Sequence, residues 1–368
     1  MGCCHSLAAA GDIFTTTTKP GKAVPQAALS TEPVEIKDTD LREMISSTTL
    51  RDGLLWFAGR SRPLDGAQLA RVEAAIKIID VDAAGKWSAI KWSDVQRSAA
   101  ATLLMPSTIH QGDTTLCGAV SVLEAMAMHR PMQYSKLVLA VWSEAKVIGA
   151  RGQPWGDEPE LNPALLASAP VKSIASASED HYSIADWMVA TAMIAELKDQ
   201  SYFRDMLGHD EYLGQDATGP NGQTVDLERG LTSPWDVKKM LIELLGCGDV
   251  ERYVSYWIAR DAPIDKMLAC TASGAFERGE VVCVAAIASW FWNAACKGEE
   301  DVTKIEGTAM ADHFVRVRSV EDVGEQMLRV KVFSYGEVQQ ATVKRAGFAR
   351  CLFDSCFGNL TDEPLQKV

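Results

Sequence analysis

Apolar residues recur with a helical period over much of the first two thirds of the chain. In 66–79, Leu69, Val72 and Ile76 fall on one face, which predicts an amphipathic helix. The same criterion predicts helices in three further stretches: 94–104, 119–129 led by Cys117, and 183–198. A further helix is predicted to begin with Ser233 as its cap and Pro234 in its first turn, and to end at Gly246.

In the last third of the chain, the helical period of apolar residues gives way to strand-like segments, two of which alternate apolar and polar residues. Residues 281–287 are rich in β-branched and small apolar side chains, which favours a buried strand. Alternation in 313–319 and 327–334, with Gly324 between them, predicts an antiparallel hairpin, and 340–343 predicts another short strand. Helices followed by an antiparallel sheet make an α+β layout.

The composition of the chain argues against several classes of function and of site. The 368 residues are 47% hydrophobic with a formal charge of −13, so a large core is available and nucleic acid is an unsuitable partner. No stretch is apolar enough to predict a membrane span. The nine cysteines contain no CxxC pair, so we expect neither a zinc site nor a disulfide framework, and no cofactor. A reducing, cytoplasmic compartment fits this pattern.

The N-terminus is compositionally distinct. Residues 1–38 lack a hydrophobic period and predict a disordered tail, 39–104 a helical lead-in, and 105–368 the main domain. The start Met1-Gly2-Cys3-Cys4 matches the pattern for myristate on Gly2 with palmitate on Cys3 and Cys4. Two acyl chains would hold the protein peripherally on a membrane. A bacterial protein would use such a start only as an effector delivered into a host cell.

The candidate chemistry begins at Cys117. Gln111 lies in a polar loop, and six residues later Cys117 opens an apolar helix. A thiol at a helix N-terminus meets unpaired backbone N–H groups and the positive end of the dipole, which favour the thiolate. A nucleophile also needs a base. Of the six histidines, His313 begins a strand, which is the rigid placement that a base requires.

These residues resemble the papain-like cysteine peptidases. That superfamily has a Gln in a loop, a Cys six residues later at the head of the central helix, and a His starting a later strand. A return strand ends in Asn or Asp followed by Ser-Trp-Gly. Gln111, Cys117 and His313 follow this order, and Phe333-Ser-Tyr-Gly336 is similar to the end of the return strand. The resemblance consists of sparse motifs between residues 105 and 345.

The resemblance implies a fold in which a central Cys-bearing helix packs on a C-terminal antiparallel sheet. It also implies that Cys117 is the nucleophile, His313 the general base and later acid, and Gln111 an oxyanion donor beside the Cys117 N–H. The substrate would be a protein or peptide, attacked through an acyl-enzyme by a peptidase or by a related acyl-transfer enzyme such as an amidase, a deamidase or a transglutaminase.

One position departs from the family pattern. Phe333 stands where the family has the Asn or Asp that orients the histidine, and a phenyl ring accepts no hydrogen bond. Ser334, Glu337, Asp322 or a backbone carbonyl could replace it, or the site could work as a dyad. Two alternatives to a hydrolase therefore stay open: an inactive binding protein with the same fold, and a lipid-anchored interaction protein.

Overall fold

The protein is described by a computed structural model over residues 66–109, 116–156, 160–169, 184–197, 214–218, 224–227, 232–254, 261–297 and 311–360. Its first part is helical. The helices before the main sheet are α1 Gly66–Ile79, α2 Trp92–Leu104, α3 Cys117–His129, α4 Pro131–Glu144, α5 Pro163–Leu166 and α6 Ile184–Leu197. A short antiparallel pair, β1 Gly214–Thr218 and β2 Thr224–Leu227, follows them.

The last part holds a six-stranded antiparallel sheet with order β3-β8-β4-β5-β6-β7. Its elements in chain order are α7 Pro234–Glu243, β3 Cys247–Val254, α8 Ala262–Ala272, α9 Ala275–Arg278, β4 Val281–Ile287, α10 Ser289–Cys296, β5 His313–Gly324, β6 Met327–Ser334, β7 Glu337–Lys344, α11 Arg345–Cys351 and β8 Leu352–Leu360. The predicted α+β class, helices first and an antiparallel sheet last, is confirmed.

Two hydrophobic cores cover the two faces of this sheet. Val282, Val284 and Phe314 pack into one core with α3, α6 and α7. Residues at the alternate positions of the same strands, such as Cys283 of β4 and Val315 of β5, pack into a second core with α8 and α10. Alternation along each strand separates the two sets. The sheet is therefore the middle of three layers.

The helices of the predicted lead-in belong to the first of these cores. Val72 of α1 and Leu103 of α2 are fully buried in the same cluster as Leu123 of α3 and Met188 of α6. Within residues 66–104, the lead-in has no separate core of its own.

A buried carboxyl lies between these helices. Asp186 of α6 accepts hydrogen bonds from the hydroxyls of Tyr134, at 2.6 Å, and Thr102, at 2.7 Å. Burial raises the pKa of Asp186 to about 7, although both hydrogen bonds act to lower it. Burial and the neighbouring Asp186 also raise the pKa of Tyr134 well above its ordinary value. Neutral hydroxyls thus satisfy this carboxyl without a cation in the described residues.

Several predicted boundaries agree with the structure. The helices over 66–79 and from Cys117 to 129 are present as predicted, and Ser233 caps α7 in a capping box with Asp236. The hairpin of β5 and β6 is also confirmed.

Other elements were missed. The strand β1 was not predicted from the sequence. The edge strand β3 and the helices α8 and α10 were not predicted, whereas the strand predicted over 281–287 is present as β4.

Candidate active site

Cys117 is the first residue of α3, as the sequence predicts. Its side chain is 2% exposed, and the preceding Leu116 provides no side-chain cap for the helix. The first turn of a helix carries backbone N–H groups without intrahelical partners. In α3 these groups lie beside the thiol, where they stabilise a negative charge on sulfur.

The second half of α3 is fixed to the sheet by charge. The Glu124 carboxylate, which is fully buried, pairs with the guanidinium groups of Arg316 and Arg318 on β5. Arg316 also contacts the His129 Nε2 at 2.6 Å. Burial of a carboxylate requires such paired and hydrogen-bonded partners. This cluster therefore fixes where α3 crosses β5.

The direction of α3 follows from what its C-terminal end touches. His129 packs directly against Gly279, which precedes β4. Because β4 and β5 are antiparallel, with Cys283 opposite Val317, the start of β4 lies beside the later residues of β5. The C-terminal end of α3 thus lies away from His313.

The other end of α3 contacts the segment that precedes α7. A Cβ on Gly118 would come within 2.6 Å of the Thr232 side chain, so these two residues are in close contact. Thr232 precedes α7, whose Pro234 carbonyl accepts a hydrogen bond from the Cys356 thiol at 3.5 Å. Farther along α7, Leu241 approaches Gly358. Because Cys356 pairs with Val284 and Gly358 with Val282, the N-terminal end of α7 is directed toward the end of β4 that pairs with the start of β5.

His313 is held at this end by residues of the β6–β7 turn. It is 2% exposed and pairs with Ile287 at the end of β4. Its Nε2 is 2.9 Å from the Ser334 hydroxyl. The ring of Tyr335 stacks on the imidazole with centroids 4.2 Å apart and planes 2° from parallel. Ser334 therefore fixes the orientation of the imidazole, and Tyr335 covers one face.

The remaining candidates for orienting His313 bind elsewhere. Glu337 accepts from the Gln339 amide at 2.6 Å, and Asp322 accepts from the Gly324 N–H at 2.9 Å. Asp312 precedes His313, but its two carboxylate oxygens accept from the N–H and hydroxyl of Ser289, each at 2.6 Å.

The register explains why Ser334 replaces Phe333. Phe333 pairs with Arg316 and packs in the core shared with α3. The next residue, Ser334, projects from the opposite face of β6, where it reaches His313 as a diagonal neighbour. The position that matches the family's Asn or Asp is thus a core position here, and the hydrogen bond comes from one residue later.

The second nitrogen of His313 has no partner. Nδ1 is buried and makes no hydrogen bond in the part of the chain that the structure describes. A buried ring nitrogen without a partner is costly, so it marks a place where another group is needed. Neither ring nitrogen is hydrogen bonded to the Cys117 thiol.

The faces of the sheet restrict how the thiol and imidazole can meet. Phe314 and Arg316 face α3, so alternation places His313 with Val315 on the other face. His313 is the first residue of β5 and lies at the margin of the sheet. A contact with Cys117 must therefore form around the end of the sheet.

The other predicted site residues fall outside the described residues. These are Gln111, the predicted oxyanion donor, and the predicted lipidation sites Gly2, Cys3 and Cys4.

Several other cysteines are chemically unlike a nucleophile. Burial raises the pKa of Cys247, Cys351 and Cys356 to about 12. Burial and the neighbouring Glu337 raise the pKa of the Cys296 thiol to about 11. At neutral pH these groups are thiols, and thiols are poor nucleophiles.

Thr232 is a further residue that the sequence did not identify as part of the site. Its hydroxyl is buried and unpartnered within the described residues, and it contacts Gly118 next to Cys117. One signal was available, because a glycine in the first turn of an apolar helix often marks a close packing contact.

Among the helices of the described residues, none has both the length and the apolar character needed to cross a membrane. In the same residues, no group of three or more His, Cys, Asp or Glu side chains is placed to hold a metal ion. No protein-family model matches this chain, and no curated protein sequence matches it.

Proposed function

We propose that the protein is a papain-like cysteine hydrolase that cleaves amide bonds in a protein or peptide, with Cys117 as nucleophile and His313 as base. The observation that carries the proposal is the state of the His313 ring. One nitrogen is 2.9 Å from the Ser334 hydroxyl, and the other is buried without a partner among the described residues. The segment that contacts the first turn of α3 leads into α7, whose N-terminal end is directed toward the His313 end of the sheet. A general base needs this combination of fixed orientation and one available nitrogen.

Each residue has a defined role in this reaction. The Nδ1 of His313 takes the proton of the Cys117 thiol, and the imidazolium later protonates the leaving amine. Ser334 and Tyr335 hold the ring while its charge changes. Gln111 is proposed as a donor to the oxyanion, together with the Cys117 N–H.

The element order supports the papain-like part of the proposal. A helix headed by the candidate nucleophile packs on an antiparallel sheet, and a strand of that sheet begins with the candidate base. The return strand ends at Ser334, whose hydroxyl performs the orienting role.

Selective alkylation tests the dyad. With iodoacetamide at pH 7, Cys117 is expected to react faster than Cys296, whose pKa is about 11 although the residue is exposed. His313→Ala should slow Cys117 alkylation at least about tenfold, because the thiolate loses its imidazolium partner. Peptide mass spectrometry gives the rate at each cysteine. His129→Ala is the control, since His129 lies on α3 but contacts Arg316.

One observation favours a second candidate, a binding protein that keeps the fold without the chemistry. Cys117 and His313 are each only 2% exposed. In a binding protein both would be ordinary core residues. Equal alkylation of Cys117 in the His313→Ala variant and the original chain would select this candidate and exclude the hydrolase.

Attachment to membranes through acylated Gly2, Cys3 and Cys4 stays a separate proposal, as does delivery into a host cytoplasm. It rests on the sequence pattern alone. Gly2→Ala should shift the protein from the membrane to the soluble fraction of eukaryotic cells. An unchanged distribution would exclude myristate-dependent attachment.

A further inference from the structure

The Thr232 hydroxyl is a buried donor without an acceptor. Thr232 is 7% exposed, and its Oγ1 has no hydrogen-bond partner within the described residues. Buried hydroxyls in native proteins are nearly always hydrogen bonded, and each exception calls for an explanation. The adjacent Ser233 already caps α7 through Asp236, so Thr232 is not needed for that purpose.

The hydroxyl lies against a particular residue of α3. A Cβ on Gly118 would lie 2.9 Å from the Thr232 Oγ1 and 2.6 Å from its methyl carbon. Gly118 is the second residue of α3 and follows Cys117. The hydroxyl therefore lies beside the first turn of α3, where backbone N–H groups have no intrahelical partner. The unpartnered hydroxyl thus lies next to the residue that follows the candidate nucleophile.

The hydroxyl does not serve the thiol itself. Oγ1 makes no hydrogen bond to any described residue, and this includes the sulfur of Cys117. A group that stabilised the resting thiolate would already contact the sulfur. A donor that waits for an oxygen formed during the reaction would be unpartnered in the free protein.

We propose that Thr232 is an oxyanion donor of the Cys117 reaction, a role that rests on the proposed hydrolase function. The Cys117 thiolate attacks an acyl carbonyl carbon, a C–S bond forms, and the carbonyl π electrons move to the oxygen. That oxyanion accepts hydrogen bonds from the Thr232 hydroxyl and the Cys117 N–H. When the carbonyl re-forms, the leaving group departs with a proton from the His313 imidazolium. Water then releases the acid from the thioester by the same steps.

Thr232→Val and Thr232→Ser form a matched pair of variants. Valine has the shape of threonine without the hydroxyl, whereas serine keeps the hydroxyl without the methyl. Removing an unpartnered buried hydroxyl is expected to leave the melting temperature unchanged or raise it. A donor to the transition state should nevertheless reduce the rate, so stability and activity should move in opposite directions.

The experiment compares two reactions of Cys117 in the full chain. Acylation by p-nitrophenyl acetate passes through an oxyanion, whereas alkylation by iodoacetamide displaces iodide at carbon and does not. Thr232→Val should slow acylation of Cys117 about 100-fold, as loss of one oxyanion donor does in other enzymes. Its alkylation rate should stay within about twofold, and Thr232→Ser should acylate within about threefold of the original chain.

Each other outcome overturns the proposal. Unchanged acylation in Thr232→Val means that the hydroxyl donates nothing. Equal slowing of acylation and alkylation means that it acts on the thiolate. If Thr232→Val has a lowered melting temperature, Thr232→Ala and Thr232→Ser decide, because only the alanine variant should lose acylation. Failure of the original chain to acylate at Cys117, or alkylation unaffected by His313→Ala, removes the proposed function itself.

Discussion

The two ends of α3 lie on the same sheet but differ in how their polar groups are matched. In the C-terminal half, the Glu124 carboxylate is paired with two arginines of β5, although the Nε atom of each arginine is buried without a hydrogen-bond partner in the described residues. At the N-terminal end, the His313 Nδ1 and the Thr232 Oγ1 are buried without hydrogen-bond partners in the described residues. An ion pair thus joins α3 to β5 at one end, whereas at the other end the proposed hydrolase would use the unpartnered atoms to bind the substrate.

The largest effect is expected at the paired end. Glu124→Gln should lower the free energy of unfolding by about 3–5 kcal/mol, because it leaves two arginines without their carboxylate in a buried site. Urea denaturation measures the change. Glu321→Gln is the control on the same strand, since its pair with Arg329 is about half exposed, and it should cost less than about 1 kcal/mol. Similar losses in the two variants would contradict the distinction between the ends.

Asp186 is a buried carboxyl whose described partners are hydroxyls and not arginines, and its pKa is raised. Its pKa of about 7 in the folded protein exceeds the ordinary value of 3.8. Between about pH 4 and 7 the unfolded chain loses this proton while the folded protein keeps it, so stability falls as pH rises. The loss is on the order of 4 kcal/mol and is complete above about pH 7.

Two variants test this assignment by denaturation at several pH values. Asp186→Asn should remove most of that pH dependence, because the amide cannot titrate. Tyr134→Phe removes a hydrogen bond that lowers the Asp186 pKa, so it should extend the loss of stability to higher pH. A profile unchanged by Asp186→Asn would assign the titration to another group.

A substitution of Ser334 tests whether its contact with His313 orients the imidazole. Ser334→Ala should slow acylation of Cys117 about 10- to 100-fold, since an imidazole free to rotate is a poorer base. Acylation by p-nitrophenyl acetate gives the rate. Ser355→Ala provides the control, because Ser355 is a buried serine of β8 whose hydroxyl has no hydrogen-bond partner among the described residues. If both variants keep the original rate, Ser334 has no orienting role.

The smallest effect concerns packing at the same end. In Gly118→Ala the new methyl group would lie 2.6 Å from the Thr232 side chain, which should cost about 1–3 kcal/mol of stability. The better helix propensity of alanine offsets about 1 kcal/mol of this. Chemical denaturation of Gly118→Ala and of Gly118→Ala/Thr232→Gly separates the two terms. A single variant more stable than the original chain would show that Thr232 does not touch Gly118.

The sequence predicted those parts of the fold in which one periodic pattern dominates. The helix from Gly66 to Ile79 was predicted with these boundaries because its apolar residues follow a helical period, and the strand from Val281 to Ile287 because it is a short apolar run rich in β-branched residues. Strand β3 was missed because it lies at the sheet edge and its sequence, Cys-Gly-Asp-Val-Glu-Arg-Tyr-Val, is largely polar. Edge strands need only one neighbour and tolerate such residues.

The site was less accessible to prediction than the fold. The sequence identified Cys117 and His313 by position but left the partner of the histidine open among several residues. Only the register of β5 and β6, which contains an irregularity between Val317 and Ser319, shows that Ser334 reaches the ring. The contact of Thr232 with Gly118 joins residues far apart in the chain, and no local pattern encodes it.

The tight turn that follows Ser334 makes the direction of its hydroxyl depend on the number of residues in the β6–β7 hairpin. Tyr335 and Gly336 both have left-handed backbone angles, with φ of 51° and 79°, and together they connect β6 to β7. A strand shifted by one residue turns every side chain to the opposite face. One inserted residue just before Ser334 would therefore turn its hydroxyl away from His313 while leaving a sheet that still folds. We expect related proteins that keep the contact between Ser334 and His313 to differ in the residue types of this hairpin but to have the same number of residues in it.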